Sequence, residues 1–494
     1  MNKLHRVPPS PTVMAMLFME YRRSGKMKTM TFREYLKSIN FVNPAKDIVG
    51  MDDAARFRRG PAGPELIPEL IDVPSRPVIG KLRVKVLMVD FPDRKGALTV
   101  NHYNDMLFSK STYPTGSMRD YYKEVSVGKV EIAGSVHGWL RMPNAYSYYT
   151  NNESGLGEKA YPHNAQRLAE DAVKAALRSG VKFEKELDNL KQGIITALFI
   201  VHAGRGAEEL KPRSESGKEI WSHKWSMLNP VQIVKGLAAS IYLMVSQDCK
   251  VGVCAHELGH LAFQWQDFYD PNYAEDGNEW DGSGVWDLMA GGSYNGDGMC
   301  PAHPAGLHKL QHGWVKVTTV EKSQSLTLKP CTAKSGHVCK IVSPSYGAKQ
   351  YLVLENRKKS GFDHHLPGEG LLVWRIDEKG EMEAADRPGM LLIQADGRHD
   401  LEKPDDWNEG DAGDPFPGKN KKNQLKDTGK INTSFPGSPR SGVTLDNICR
   451  DPATGVIKLN VKMSGTGAST QKKKGQPKKR KTASKGAKAA KRKK

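Results

Sequence analysis

The 494-residue sequence predicts an α+β fold, α/β-like in its first half. Three observations carry this. Strand-like and helical runs alternate between Leu82 and Val201, as a sheet covered by helices requires. Short β runs dominate after Trp314. Between the two halves lies His256-Glu257-Leu258-Gly259-His260. The length suggests two or three domains. Composition divides the chain into a leader-like region over 1–78, a first folded domain over 79–319, a β-rich domain over 320–464 and a low-complexity tail over 465–494.

Residues 1–78 mix Pro, Arg and weakly patterned apolar positions, and suit a leader or pro-segment better than a core. Within them Thr31–Asn40 predicts a short helix, with Phe32, Tyr35, Leu36 and Ile39 on one side. Leu82–Phe91 starts with period two and becomes continuously apolar, as a strand entering a buried sheet does. Met118–Glu124 opens a helix and Lys129–Leu140 predicts a second strand. Asn164–Ser179 has helical spacing and stops at Gly180. Ile194–Val201 predicts a buried strand before the turn Ala203–Gly206. Ser325–Leu328, Val338–Val342, Gln350–Leu354, Gly370–Ile376, Met390–Gln394 and Gly455–Met463 predict the later strands.

Hydrophobic residues make up 38% and charged residues 26%, the balance of a globular protein with polar appendages. No run approaches the ~20 apolar residues of a membrane span. The N-terminus is basic, but the apolar stretch Val13–Met19 is short and lacks a cleavage site, so it does not read as a secretory signal. The net charge is +19, yet residues 472–494 hold thirteen Lys or Arg and no acid, which leaves about +6 for the rest. The six cysteines include no C-x-x-C pair, which argues against cysteine-based zinc fingers. Cys331 and Cys339 suit either a hairpin disulfide or free buried thiols.

His256 and His260 carry the chemistry. Residues four apart share a helix face, so both imidazoles can hold one zinc ion. Glu257, one residue past the first ligand, reaches a water at the metal. Zinc lowers the pKa of such a water to about 7. Glu257 then acts as general base and returns the proton to the leaving amine. The bland alternative is a helix with two surface histidines. Small, apolar Val251–Ala255 argues against it. So does Gly259, which costs ~1 kcal/mol relative to Ala in a helix and asks for a packing reason. A catalytic zinc takes a third protein ligand and keeps one position open. Asp267 is the first choice, Asp270 the second, and Asp287, beside Met289, the third. Asp270, Asn272 and Asp276 also suit a structural calcium site or a capped turn.

These residues resemble the immune inhibitor A-like family of secreted metallopeptidases. The likeness runs in order from Val86–Asp93 through Val201–Gly204 and Ile220–His223 to the zinc motif and Asp267–Asp270. It continues through Trp286–Ala290, Pro301–Trp314, Leu354–Arg357 and Gly370–Asp377, spanning about residues 80–380. The resemblance implies a zincin, metzincin-like fold and a zinc endopeptidase acting on proteins. It gives His256 and His260 as zinc ligands, Glu257 as the base and Met289 as the methionine of the turn beneath the metal. Many metzincin-type motifs place the third ligand six residues after the second His, with a Gly between. Here Phe263 stands where that Gly would be and Asp267 comes seven residues after His260.

Among other candidates, His202 and His223 are read as structural rather than as oxyanion donors. Tyr294 suits a packed aromatic and an oxyanion donor equally. Asp400–Asp414 suggests calcium, although a solvated acidic loop is the preferred reading. The Lys-rich tail over 472–494 predicts non-specific nucleic-acid or other polyanion binding, without aromatics for base stacking. The expected function is zinc-dependent hydrolysis of protein or peptide substrates. The rival is an inactive peptidase fold serving as a nucleic-acid-associated or virion structural protein. Lack of a clear signal and the nuclear-signal-like tail point to an intracellular, nuclear or virion location, whereas the family is secreted.

Overall fold

The computed structural model describes residues 5–39, 41, 56–59, 66–69, 77–210, 213–269, 280–378, 388–403 and 408–464. The tail, including 472–494, and the candidates Asp270, Asn272 and Asp276 lie outside them. The chain opens with β1 (His5–Arg6), α1 (Pro11–Arg23) and α2 (Phe32–Ser38), followed by the hairpin of β2 (Arg56–Arg59) and β3 (Leu66–Glu69). The sequence predicts no core here, and the structure differs. Val13, Met14, Leu17 and Tyr21 of α1 pack on Phe32, Tyr35, Leu36 and Phe41 in a small core of their own. Pro11 at the first turn starts α1, and a Thr31–Glu34 capping box starts α2.

The next elements are β4 (Gly80–Asp90), α3 (Val100–Phe108), α4 (Met118–Val125), β5 (Val130–Arg141), α5 (Tyr146–Thr150), α6 (Ala165–Arg178) and β6 (Leu198–His202). After α7 (Arg213–Ser216) come β7 (His223–Val234), β8 (Leu237–Ser246) and α8 (Val251–Leu258). Val84 and Val86–Val89 of β4 are all buried, so the strand needs cover on both faces. It runs inside a six-stranded sheet of order β1-β7-β8-β6-β4-β5. β5, β4, β6 and β8 are parallel, whereas β7 is antiparallel to both β8 and β1. The predicted strand over Ile194–Val201 contracts to β6. The β7–β8 hairpin is not among the predicted elements.

The remaining chain forms α9 (Gly306–Gln311), β9 (Lys316–Val320), β10 (Gln324–Leu328), β11 (His337–Ile341), β12 (Gln350–Arg357), β13 (Gly370–Asp377), β14 (Met390–Leu392), β15 (Val443–Arg450) and β16 (Ile457–Met463). One sheet has the order β14-β13-β12-β11-β9 and a second the order β10-β16-β15. Successive strand residues face opposite sides, and the five-stranded sheet uses both. Leu352, Leu354, Leu371 and Val373 face the three-stranded sheet. Tyr351, Val353, Leu372 and Trp374 join the larger core that also holds α8. The β-rich part joins this core through α9, where Val353 of β12 lies beside Gly306. Among the described residues no helix is long and apolar enough to cross a membrane. Cys331 and Cys339 are free thiols.

Candidate metal centre

α8 carries the first half of the motif. Every residue from Val251 to Leu258 is buried, as its small apolar sequence requires. Gly252 is there because a Cβ would come within 1.9 Å of the Ser293 carbonyl. The helix then widens into a π-helical turn over Gly259–Phe263, and the chain turns at Gln264 in the left-handed region, φ 61°. A π turn takes up one extra residue. This accounts for the long spacing: the left-handed position falls on Gln264, one place after Phe263, and Asp267 is still brought back to the motif. Gly259 also has its packing reason. A Cβ there would meet Met289 Sδ at 2.8 Å and the Trp265 ring at 2.9 Å.

His256, His260 and Asp267 converge and all are buried. The two Nε2 atoms are 3.0 Å apart, and Asp267 Oδ1 lies 3.1 Å from His256 Nε2 and 3.3 Å from His260 Nε2. Ligands held about 2.0–2.1 Å from a tetrahedral zinc ion stand roughly 3.3 Å from one another. Both imidazoles turn Nδ1 to a carbonyl: His256 to Leu288 O at 2.9 Å and His260 to Trp265 O at 2.7 Å. A carbonyl only accepts, so each Nδ1 carries a proton, and a ring in that tautomer offers its Nε2 lone pair to a metal. Two lone pairs and a carboxylate oxygen then face one point in a buried space. That donor set fits zinc.

The turn Trp286–Ala290 holds this cluster. Leu288 O accepts a hydrogen bond from His256 Nδ1, and Met289 O accepts from Phe268 N at 2.9 Å, next to Asp267. Asp287, the third-choice ligand, is not in the donor cluster. It accepts from Ala305 N at 2.9 Å and Ser283 Oγ at 3.1 Å, with His308 Nε2 3.7 Å away. Burial opposes its charge, but His308 and the backbone N–H groups of Ala305 and Met289 hold its carboxyl below the usual range. Arg357, at the end of β12, donates to Trp286 O at 2.8 Å and to His303 O at 3.2 Å. It also binds Asp363 Oδ2 at 2.7 Å. Burial disfavours the Asp363 charge too, yet Arg357 and His303 pull its carboxyl well down.

Glu257 is fully buried in the same helix turn as His256. Its charge acts on the Tyr294 phenol, which burial together with Glu208, Glu209, Glu409 and Glu257 pushes well above its ordinary range. Tyr294 Oη donates to Pro8 O at 2.7 Å. His202 and His223 lie in the sheet. His202 stacks on Tyr146, and burial and the charges of His223 and Arg94 push it down to about 3. His223 Nδ1 donates to Trp221 O at 2.6 Å, and burial pushes it down to about 4. In the acidic loop Asp396, Asp400 and Asp411 form a second cluster, but Arg398 and Lys403 pair with these acids. The sequence reading missed the holding groups, Leu288 O, Trp265 O and Met289 O. Backbone carbonyls have no residue-type signal. Arg357 was legible only as the end of the family-like run Leu354–Arg357, and Asp363 only as a charged residue in a β-rich region.

Residues 83–320, which include every residue of the donor cluster and its turn, match the family described as immune inhibitor A peptidase M6, catalytic domain. Immune inhibitor A of Bacillus thuringiensis subsp. alesti is 28% identical over 264 residues, covering 44% of this chain and 37% of that protein. Pre-pro-metalloprotease PrtV of Vibrio cholerae serotype O1 (strain M66-2) is 28% identical over 260 residues, covering 43% of this chain and 27% of that protein. The chain therefore matches well under half the length of these relatives. The resemblance read from the sequence is matched at the level of this segment: residues 83–320 are similar to the immune inhibitor A, peptidase M6 catalytic domain.

Proposed function

We propose that the chain is a zinc-dependent, zincin-type endopeptidase that cleaves proteins or peptides, with His256, His260 and Asp267 as metal ligands and Glu257 as general base. One observation carries the reading: three buried acceptor atoms, within 3.3 Å of each other, beside a buried glutamate one residue past the first of them. When bound, zinc supplies Lewis acidity and acidifies water at this point. The chain's own groups do the rest. Leu288 O and Trp265 O keep both imidazoles in the tautomer that ligates. Glu257 takes the proton of the attacking water on its carboxylate and passes it to the departing amine nitrogen. Burial of Glu257 strengthens its interaction with charge that develops nearby. The metzincin-like character rests on Met289 lying under Gly259 and on the turn that holds His256.

The test is zinc stoichiometry by atomic absorption together with casein hydrolysis. One zinc per chain is expected, with activity lost to a chelator and restored by zinc. Asp267→Ala should lower zinc content, and full zinc in that variant rules out Asp267 as a ligand. For the tail, thirteen cations without an acid favour polyanion binding. Deleting 466–494 should abolish salt-sensitive binding to DNA or RNA and leave hydrolysis intact. Binding that persists in the truncated chain excludes the tail as its source.

A further inference from the structure

The inner face of the five-stranded sheet carries one cation. Successive residues of β13 alternate sides, so Arg375 shares a face with Leu371 and Val373, which pack towards the three-stranded sheet. Its neighbour across the edge pair is Leu391 of β14. There Arg375 lines a cavity of about 350 Å³ between β14 and the loop from Asp427 to Arg440. The loop is held in shape by its own bonds. Arg440 binds Asp427 through Nη2 at 2.9 Å and Nε at 3.2 Å. Tyr346 Oη donates to Thr433 O at 2.7 Å, and its ring meets Phe435 edge-on with 5.1 Å between centroids. Phe435 is buried, and its ring lies 5.7 Å from Arg375 Cζ. Ile431 and Leu391 extend this apolar wall.

Arg375 is under-paired for its place. Its Nη2 donates to Asn432 O at 2.9 Å, a neutral acceptor. Its Nε is buried with no hydrogen-bond partner. The acids on the cavity wall are held by other groups: Glu402 by His399 at 3.2 Å and by Gln394, and Asp427 by Arg440. Burial pushes the Arg375 pKa down, against the influence of Tyr346 and Glu402. A buried charge without a paired counter-ion is costly, so an anion that bonds Nε relieves a penalty built into the fold. The guanidinium fork matches a carboxylate, which it takes through parallel N–H bonds. The wall also sets the charge of the guest. Arg375, Lys430 and Arg440 face Glu402 and Asp427, so with His399 neutral one positive charge is left over, enough for one negative group.

We propose that this cavity binds a small organic monocarboxylate, with its carboxylate on the Nε edge of Arg375 and an apolar body against Phe435 and Ile431. Its volume lies at the low end for small-ligand pockets, and its make-up, an apolar wall with a few converging polar groups, is theirs. Two sources offer this chemistry: a free N-blocked apolar amino acid, and the C-terminal residue of a peptide. The site does not rest on the peptidase reading. Every residue named for it lies beyond residue 320, outside the matched segment, and none belongs to the donor cluster.

The experiment is isothermal titration calorimetry on the full chain with N-acetyl-phenylalanine, its carboxamide, and a short peptide ending in Phe with a free carboxylate. The acid is expected to bind, and the carboxamide about 10–100-fold more weakly, as the loss of a hydrogen bond to a charged group implies. Arg375→Met should weaken the acid by the same factor and melt no lower than the wild type, because it removes a buried cation without a paired acid. A peptide that binds more tightly than the acid supports a chain end as the natural guest, and the reverse order supports a free small molecule. Equal binding of acid and carboxamide overturns the proposal. So does an unchanged affinity in folded Arg375→Met, or no binding of the acid at millimolar concentration. Should Arg375→Met melt lower, the comparison of acid with carboxamide on the wild-type chain decides alone.

Discussion

His256 donates from Nδ1 to the Leu288 carbonyl at 2.9 Å, across 32 residues of sequence. Leu288 in turn sits between Asp287, tied to Ala305 N, and Met289, whose carbonyl holds Phe268 beside Asp267. One short turn thus sets the tautomer of one donor and the position of another. Partners of this kind, one bond removed from a metal, change affinity about 10–100-fold when lost.

The first prediction concerns Asp287. Replacing it with Ala leaves Ala305 N without its carboxylate and frees the turn. Zinc affinity should fall about 10–100-fold, read by competition with a chromophoric chelator. Unchanged affinity would show that the turn holds its shape without Asp287.

A second prediction uses Gly259. The Gly259→Ala methyl would meet Met289 Sδ at 2.8 Å and the Trp265 ring at 2.9 Å. Met289 is flexible and can yield, but the indole is wedged between Phe263 and Trp314. Overpacking should cost about 1–3 kcal/mol, more than the ~1 kcal/mol gained in helix propensity. Urea denaturation of Gly259→Ala, Met289→Ala and the double variant should show coupling, with the double variant less destabilised than the sum. Strict additivity would mean that the two residues do not share the space.

How much of this was legible varies with the kind of signal. β4 was readable because Val86–Val89 is continuously apolar and its neighbours alternate. β7 was not, because Lys224 and Ser226 occupy buried positions and the register with β8 shifts between Ser226 and Val231. Polar residues inside and a bulge both erase period two. The zinc motif was legible in its side chains. The sequence ranked Asp267 ahead of Asp270 and Asp287 but gave no route by which Asp267 returns to the motif, since that route runs through a π turn and a left-handed Gln264 with no residue signature. A left-handed non-glycine costs roughly 1–2 kcal/mol and is tolerated here because Trp265 and His260 fix the turn from both sides.

The third prediction is for Arg357, buried between Asp363, Glu355 and the carbonyls of Trp286 and His303. Arg357→Met removes the one guanidinium that pairs with Asp363 among the described residues. Breaking a buried pair from one side costs about 3–5 kcal/mol, so the urea midpoint should drop sharply and zinc affinity should weaken with it. A stability loss below about 1 kcal/mol would make the network an ornament of the fold.

The fourth prediction is a pH dependence at Asp414, whose Oδ2 accepts from Trp286 Nε1 at 2.9 Å. Burial, aided by the charges of Asp411 and Asp396, pushes its carboxyl up to about 7 against the hydrogen bonds from Asp411 N and Trp286. In the unfolded chain it titrates at about 4. A folded pKa above the unfolded one gives stability that is full below the lower value and lost as pH rises through the higher one. Wild-type stability relative to Asp414→Asn should therefore fall between pH about 4 and about 7 and level off above. A difference independent of pH would place the Asp414 pKa in the ordinary range.

The central claim is that Glu257 moves the proton at a zinc site built by His256, His260 and Asp267. The most direct measurement is casein hydrolysis by Glu257→Gln, set against zinc content, beside the wild-type chain. The account predicts a full zinc complement and a rate lowered about 10²–10⁴-fold. A zinc-loaded Glu257→Gln chain that hydrolyses casein at the parental rate would contradict it.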